Sequence, residues 1–323
     1  MGAFIRDPGP GAGRVERVTP FAPREITHAF HDIDGTHSRI RDWGPVMTLV
    51  TGAVSRYGMF PGDPREVAAA LRRHRDEDFP EARRFAVESA GLSALTQMEW
   101  ALRCARRRTG ESSPLNEEII SRIWRGEEKF AAAGESPEAP EKLAAESSRL
   151  FRAYEILLLE MCRDRNLAAA RVDPESWRIP GSMDFLESLR AAGVKNYFVT
   201  GAVVEHDPQG RPLGTMAEEV AVLGYTVGPG ELMESFRGSA WNEKLPKLEI
   251  MKKICAEEHI DPAHVLVTGD GRSEIAAGVA LGCVTLSRLD EDARRAREIH
   301  RELGTDMIVP DYDGLFPLLF GNP

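Results

Sequence analysis

No apolar run in this chain approaches the roughly 20 residues that a membrane span requires. The opening stretch MGAFIRDPGPGAGRVERVTPFAP lacks the hydrophobic core of a signal peptide, and Arg6 stands where a myristoylation motif would carry Ser or Thr. Its GPGAG precedes the first expected strand instead of following one, which makes a poor phosphate loop; residues 1–24 are expected to form a flexible arm. Cysteine is scarce: Cys104, Cys162, Cys255 and Cys283 are far apart and show no CxxC spacing. That excludes a thiolate zinc site of the usual kind and predicts reduced, buried thiols of a cytoplasmic protein. Basic charge is in deficit, with 41 Lys and Arg against 51 Asp and Glu and a net charge of -10, which argues against a dedicated nucleic-acid binder. What remains, 42% hydrophobic and 28% charged over 323 residues, is an ordinary globular composition with enough apolar material for a sizeable core.

The second half of the chain alternates strand and helix signals. Short β-rich runs occur at YFV (197 to 199), HVLVTGD (264 to 270), CVTLSR (283 to 288) and DMIVPDY (306 to 312). Helical patterns over 181–192, 243–258, 273–281 and 290–303 lie among them, several closed by glycine at Gly193, Gly282 and Gly304. This is the pattern of an α/β fold with a mostly parallel, Rossmann-like sheet. ITHAFHD would supply its first strand, although His28 and His31 make it less apolar than a central parallel strand usually is. Residues 37 to 179 have a different character, with helical periodicity and almost no strand signal, broken at 58–64, 110–114 and 134–140 by Gly, Pro and Ser. The expected organisation is therefore a core from 25–42 and 172–323, with an all-helical domain inserted at 43–171.

Within that frame the stretch HAFHDIDGTHS, 28 to 38, sets Asp32 and Asp34 at a strand end. An EF-hand reading fails, because Thr36 and His37 occupy the fifth and sixth loop positions where an oxygen ligand and Gly are needed. Two further strand ends carry reactive residue types: Thr200 after NYFV, and Asp270 after VLVTG with Glu274 four residues later. In an open parallel sheet, ligands bind in the crevice outside the carboxyl ends of the strands, so these side chains are expected to converge there. Acidic groups gathered in one crevice resist ionisation unless a cation sits among them. Hard oxygen ligands suit Mg²⁺, which takes one or two carboxylates and a phosphate oxygen. Lys244 and Lys247 could balance an anionic group.

With these residues in place the chain resembles the haloacid dehalogenase-like (HAD) phosphatases. DIDGT (32 to 36), FVTG (198 to 201), a lysine in NEKLPK and GDGRSEIAAG (269 to 278) match the four motifs, and the helical insert stands where that superfamily has its C1-type cap. His37 and Ser38 stand where the family commonly has an apolar residue, and Glu274 where it often has aspartate. The resemblance implies that Asp32 is the nucleophile, forming an aspartyl phosphate, and that Asp34 acts as general acid and then base. It implies that Thr200, Gly201 and Lys244 hold the phosphoryl group, with Lys247 as the alternative lysine. Asp32, the Asp34 backbone carbonyl, Asp270 and Glu274 would bind Mg²⁺. The implied activity is that of a phosphoric monoester hydrolase acting on a small phosphorylated metabolite, with no nucleic-acid or membrane partner. A sugar phosphomutase using the same motifs and a non-catalytic phosphate-binding module are the alternatives. An acid two residues after the nucleophile serves a leaving alcohol and has no use in hydrolytic dehalogenation, so Asp34 favours phosphoryl chemistry.

Overall fold

A computed structural model describes residues 2–9, 13–130, 138–241 and 244–321. They contain eleven strands: β1 (Ala3–Ile5), β2 (Glu16–Arg17), β3 (Arg24–Ile26), β4 (His28–His31), β5 (Lys195–Val203), β6 (Glu205–His206), β7 (Pro212–Leu213), β8 (Ser235–Ser239), β9 (Val265–Gly269), β10 (Val284–Arg288) and β11 (Met307–Val309). Seven form one sheet in the order β2-β11-β10-β9-β4-β5-β8. Every neighbouring pair in it is parallel except β2 with β11 at one edge. This is an α/β fold with a mostly parallel, Rossmann-like sheet. By contact the chain divides into two compact units, Met1–Ile40, Leu167–Ser239 and Leu245–Pro323 in one, Arg41–Asn166 and Ala240–Lys244 in the other.

In the α/β unit the central strands are apolar on both faces, as buried parallel strands must be. Successive residues point to opposite sides. Ala29 and Leu266 pack with Phe185, Val284 and Met307 on one face, whereas Phe30, Val265 and Val267 pack with Ile250, Met251 and Ile254 on the other. The chain passes from β4 outward to β5 and β8, then returns to the opposite side of β4 to begin β9. The strand order thus reverses beside β4, and the C-terminal ends of β4 and β9 flank the crevice that such a reversal opens. The helices Arg272–Leu281 and Arg294–Leu303 end at Gly282 and Gly304, which adopt the left-handed conformation (φ 77° and 83°) of a glycine cap.

Residues 1–24 do not form the expected free arm. β1 pairs antiparallel with β3, Ile5 is fully buried in the core of the α/β unit, and β2 extends the main sheet, so short paired segments tie this stretch down; Pro10 to Ala12 of GPGAG lie outside the described residues. The polar stretch after Thr200 is likewise structured: β6 and β7 make a hairpin around Asp207 to Arg211, a helix spans Thr215–Val222, and β8 joins the sheet edge.

The other unit is helical. Its helix Pro64–Arg72 starts on a capping box in which Asp63 accepts from the Arg65 and Glu66 backbone N–H groups and Glu66 accepts from that of Asp63. Trp100, on the helix Ala94–Thr109, is fully buried and stacks on Phe85 at 3.8 Å, with Trp124 edge-on at 5.8 Å. Among the described residues no helix is long and apolar enough to cross a membrane. All four cysteines are buried free thiols.

Candidate active site

The residues following β4 are held by one carbonyl. Ile33 O accepts from the backbone N–H groups of Thr36, His37 and Ser38, and Gly35 N donates to Ser38 O. The strand pairing itself reaches Asp32, whose N–H donates to Thr268 O of β9 at 2.9 Å. Asp32 is therefore fixed by the sheet and Asp34 by the tight loop after it, with Ile33 buried between them as an anchor. The register His31↔Thr268 and His31↔Phe198 brings Asp32, Asp270 and Thr200 to the same edge, one or two residues beyond those pairs. Thr200 does not follow its strand, as expected, but lies inside it: β5 runs on to Val203 through a register shift between Val199 and Val203. Its buried hydroxyl accepts from Ala202 N at 3.1 Å, which leaves the O–H proton to donate elsewhere. Gly201 is half-buried in the same strand.

Asp32, Asp270 and Glu274 each offer a carboxylate oxygen within 4.8 Å of the others. Lys247 is the cation among them: its Nζ lies 2.7 Å from Asp32 Oδ1 and 2.9 Å from Glu274 Oε2, with its side chain buried. Of the two candidate lysines, Lys247 and not Lys244 is the one beside Asp32. The reason is where the helix begins. Pro246 precedes its first residue, and the helix spans Lys247–Glu257, so Lys244 is not one turn back on the same face. Lys244 belongs to the helical unit, where its ammonium pairs with Glu99 and sits over Phe130. Asn242 and Glu243, part of the expected helix and motif, lie outside the described residues.

Glu274 does more than face the cluster. As the third residue of the helix Arg272–Leu281 it accepts from Gly271 N at 2.5 Å, capping that helix while holding Lys247. One lysine cannot neutralise three carboxylates, two buried and Asp270 half-buried, and the protonation preferences reflect this. Burial pushes the Asp32 carboxyl up to about 6, with Lys247 opposing and Glu274 adding to the rise. Burial, Asp32 and Glu274 raise Asp270 well above the carboxylate range. Against burial, Lys247 holds Glu274 below its ordinary value, and the two carboxylates hold Lys247 above its own. A cation placed among these groups would reverse the upward shifts, so the donor set, all oxygen and short of positive charge, fits a hard divalent ion.

Two features of this edge were not visible beforehand. Arg288, at the end of β10, donates from Nη1 to Gly35 O and from Nε to Pro310 O, both at 3.0 Å, bracing the loop from behind. Beneath the loop lies a buried chain of polar groups. Asn196 donates to Leu186 O and Leu232 O, which leaves its carbonyl to accept from His31 Nε2 at 3.2 Å. His31 Nδ1 is then the acceptor for Thr268 Oγ1 at 2.6 Å, and His37 Nε2 lies 3.2 Å from the same nitrogen. His37 Nδ1 takes its bond from Ser182 Oγ at 2.7 Å, and its ring stacks on Tyr312 at 5.0 Å. Both imidazoles are neutral in this arrangement. Burial drives His31 down to about 3, and burial, His31 and Arg288 drive His37 well below the usual range. His37 stands at an apolar position because it is fully buried, its ring nitrogens satisfied by partners distant in sequence.

Gly35 has φ 75°, and a Cβ there would lie 2.0 Å from Asp270 Oδ2. Gly35→Ala is expected to cost about 1–2 kcal/mol from the left-handed backbone alone, plus the displacement of the Asp270 carboxylate. In an Asp270→Ala background the second part should vanish, so chemical denaturation of the four proteins should give a non-additive cycle. Equal costs in both backgrounds would mean that the carboxylate moves aside freely.

No protein-family model and no curated protein matches the chain. Among solved structures it is similar to a predicted phosphatase from Clostridium acetobutylicum, at 11% identity and TM-score 0.49, covering 90% of this chain and 96% of that one. It is similar to a hydrolase from Pseudomonas syringae, at 14% and 0.46, covering 91% and 99%. A third likeness is to a β-phosphoglucomutase from Clostridium difficile, at 10% and 0.42, covering 90% and 93%. In the motifs of its sequence the chain resembles the HAD-like proteins.

Proposed function

We propose that the chain is a magnesium-dependent phosphomonoesterase that acts on a small phosphorylated metabolite through an aspartyl phosphate on Asp32. The observation that carries this reading is the Asp32 carboxylate, set at the end of the central strand with Lys247 Nζ at 2.7 Å and Asp270 beside it. Asp32 attacks the phosphorus in line with the leaving alcohol; the new bond is Asp32 oxygen to phosphorus, and the bond that breaks is phosphorus to the ester oxygen. Asp34 protonates that oxygen as it leaves, then takes a proton from the water that cleaves the acyl phosphate. Lys247 and the Thr200 hydroxyl hold the phosphoryl oxygens, whose charge must be met by fixed cations and donors. Asp32, the Asp34 carbonyl and Asp270 would hold Mg²⁺, with Glu274 supporting them through Lys247 or a water. Bound there, Mg²⁺ would neutralise charge on the phosphoryl group. The inserted helical unit is the segment that would serve as a cap.

The test is release of inorganic phosphate from an aryl phosphate. Wild type should require Mg²⁺ and lose activity on chelation, and Asp32→Asn should be inactive because an amide cannot form the acyl phosphate. Asp270→Ala should shift the Mg²⁺ titration upward by about an order of magnitude, as expected for loss of a ligand or its supporting shell. Turnover retained by Asp32→Asn would overturn the nucleophile. Transfer between substrate positions without phosphate release would identify the mutase instead.

A further inference from the structure

The helical unit holds a cavity of its own, about 790 Å³, formed by residues of that unit alone. This is within the range that accommodates a small organic ligand. Leu95, Ile119 and Leu143 give it an apolar wall. Its charged lining is unbalanced, with Arg103, Lys129, Arg149, Arg152 and Lys244 against only Glu99 and Glu128. Both carboxylates are already committed. Glu99 accepts from Arg103 and Lys244, and Glu128 accepts from Ser93 N at 2.8 Å and Thr96 Oγ1 at 3.1 Å. No carboxylate pairs with Lys129, Arg149 or Arg152 among the described residues; Arg152 lies over the Trp241 ring and Arg149 donates from Nη1 to Gly62 O.

Two polar groups on the same lining are left over. Ser147 is 3% exposed and its hydroxyl has no partner among the described residues, and the buried Nε of Arg149 has none either. Buried donors are almost always satisfied, so an unused hydroxyl and an unused guanidinium N–H on two residues that line the cavity, beside surplus positive charge, call for an acceptor brought from outside. We propose that this cavity binds an organic anion with an apolar body, its carboxylate, sulfonate or phosphate group received by Arg149, Arg152 and Ser147 and its body lying on Leu95, Ile119 and Leu143. The basic run 102 to 108 divides accordingly: Arg103 is buried in the lining, whereas Arg107 and Arg108 are exposed. The proposal does not rest on the phosphoryl chemistry at Asp32, and either can fail without the other.

The probe is 1-anilinonaphthalene-8-sulfonate, titrated into the full chain by fluorescence and calorimetry. One equivalent should bind, more weakly as salt is raised, and inorganic phosphate with Mg²⁺ should not displace it. Uncharged 1-anilinonaphthalene should bind about tenfold more weakly or worse, since a charge-assisted pair is lost. Arg149→Gln should lower affinity about fivefold or more by the same argument. Ala144→Trp, which adds an indole at an exposed position of the lining, should abolish binding without changing the melting temperature. If the tryptophan variant fails to fold, the arginine variant and the uncharged probe decide. Absence of binding, binding unaffected by Arg149→Gln and Ala144→Trp, or equal affinity for the uncharged probe would each overturn the proposal.

Discussion

Lys247→Met is expected to lower kcat/KM for an aryl phosphate by about 10²–10³, the range seen when one preorganised donor is taken from a developing phosphoryl or oxyanion charge. It should also lower stability at neutral pH by about 3–5 kcal/mol, because removing one partner strands the other charges in the interior. Asp32 and Glu274 both lose their cation, and neither is near water enough to recover it, since the Asp32, Glu274 and Lys247 side chains are respectively 8%, 1% and 2% exposed. Methionine keeps most of the volume, so the loss reports charge and hydrogen bonding more than packing. Saturating Mg²⁺ should return part of the stability, as any ligand of the folded state does. Lys244→Met is the control: its partner Glu99 retains Arg103, so activity should stay within about tenfold, the cost of one lost hydrogen bond at most. Denaturation and steady-state kinetics on the two variants settle the ranking. A larger kinetic loss for Lys244→Met would return the phosphate contact to that residue.

Elements buried by their own composition were readable from the sequence, and elements created by pairing were not. β5, β9, β10 and β11 announce themselves as apolar runs because both faces of each are covered. β8 reads Ser-Phe-Arg-Gly-Ser and occupies a sheet edge, where the neighbouring strand supplies the geometry and polar residues are tolerated. β1, β2 and the β6–β7 hairpin are two or three residues long, too short for any periodicity to develop, and the expected arm dissolves for that reason.

For the site, the convergence of Asp32 and Asp270 followed from their positions after strand ends, which is a property of sheet topology, and Glu274 joins them from the first turn of the helix after β9. The lysine did not follow, because Lys244 and Lys247 differ only in which unit each joins, and that depends on Pro246 and on the unit boundary between them. Histidine posed the opposite problem. His31 makes its strand look less apolar than a central strand usually is, and His37 stands where an apolar residue is common in the family the sequence resembles. They belong there because Asn196, Thr268 and Ser182, from three distant segments, partner three of the four ring nitrogens, and His37 Nε2 meets His31 Nδ1. Polar residues are legible as surface until their partners are known.

That network makes stability acid-sensitive. His31, His37 and His300 are buried, and His300 Nδ1 contacts Ser287 Oγ at 2.7 Å. Burial lowers His31 to about 3 and His300 to about 4, and takes His37 well below its usual range. In the unfolded chain each takes a proton near pH 6.5. Below that value the unfolded state therefore binds more protons, and stability falls as pH falls, by about 1.4 kcal/mol per pH unit for each histidine, or about 4 for the three. Without a metal, Asp32 and Asp270 act in the opposite sense: Asp32 is raised to about 6 and Asp270 well above the carboxylate range, so the folded state holds protons there that the unfolded state does not. At most two of the three contributions are offset, so the metal-free protein should lose about 1.4 kcal/mol or more per unit between pH 6 and 5. Protonating His31 also sets an Nδ1–H against the His37 Nε2–H that faces it, so the loss is local as well as thermodynamic. Urea denaturation of the metal-free protein at pH 6.0, 5.5 and 5.0 measures the slope. His37→Gln, which keeps a donor and an acceptor but does not titrate, should lose stability overall yet show a slope shallower by about 1.4 kcal/mol per unit. A wild type as stable at pH 5.0 as at 6.0, or a glutamine variant with an unchanged slope, would show that the buried imidazoles take up protons without disturbing the fold.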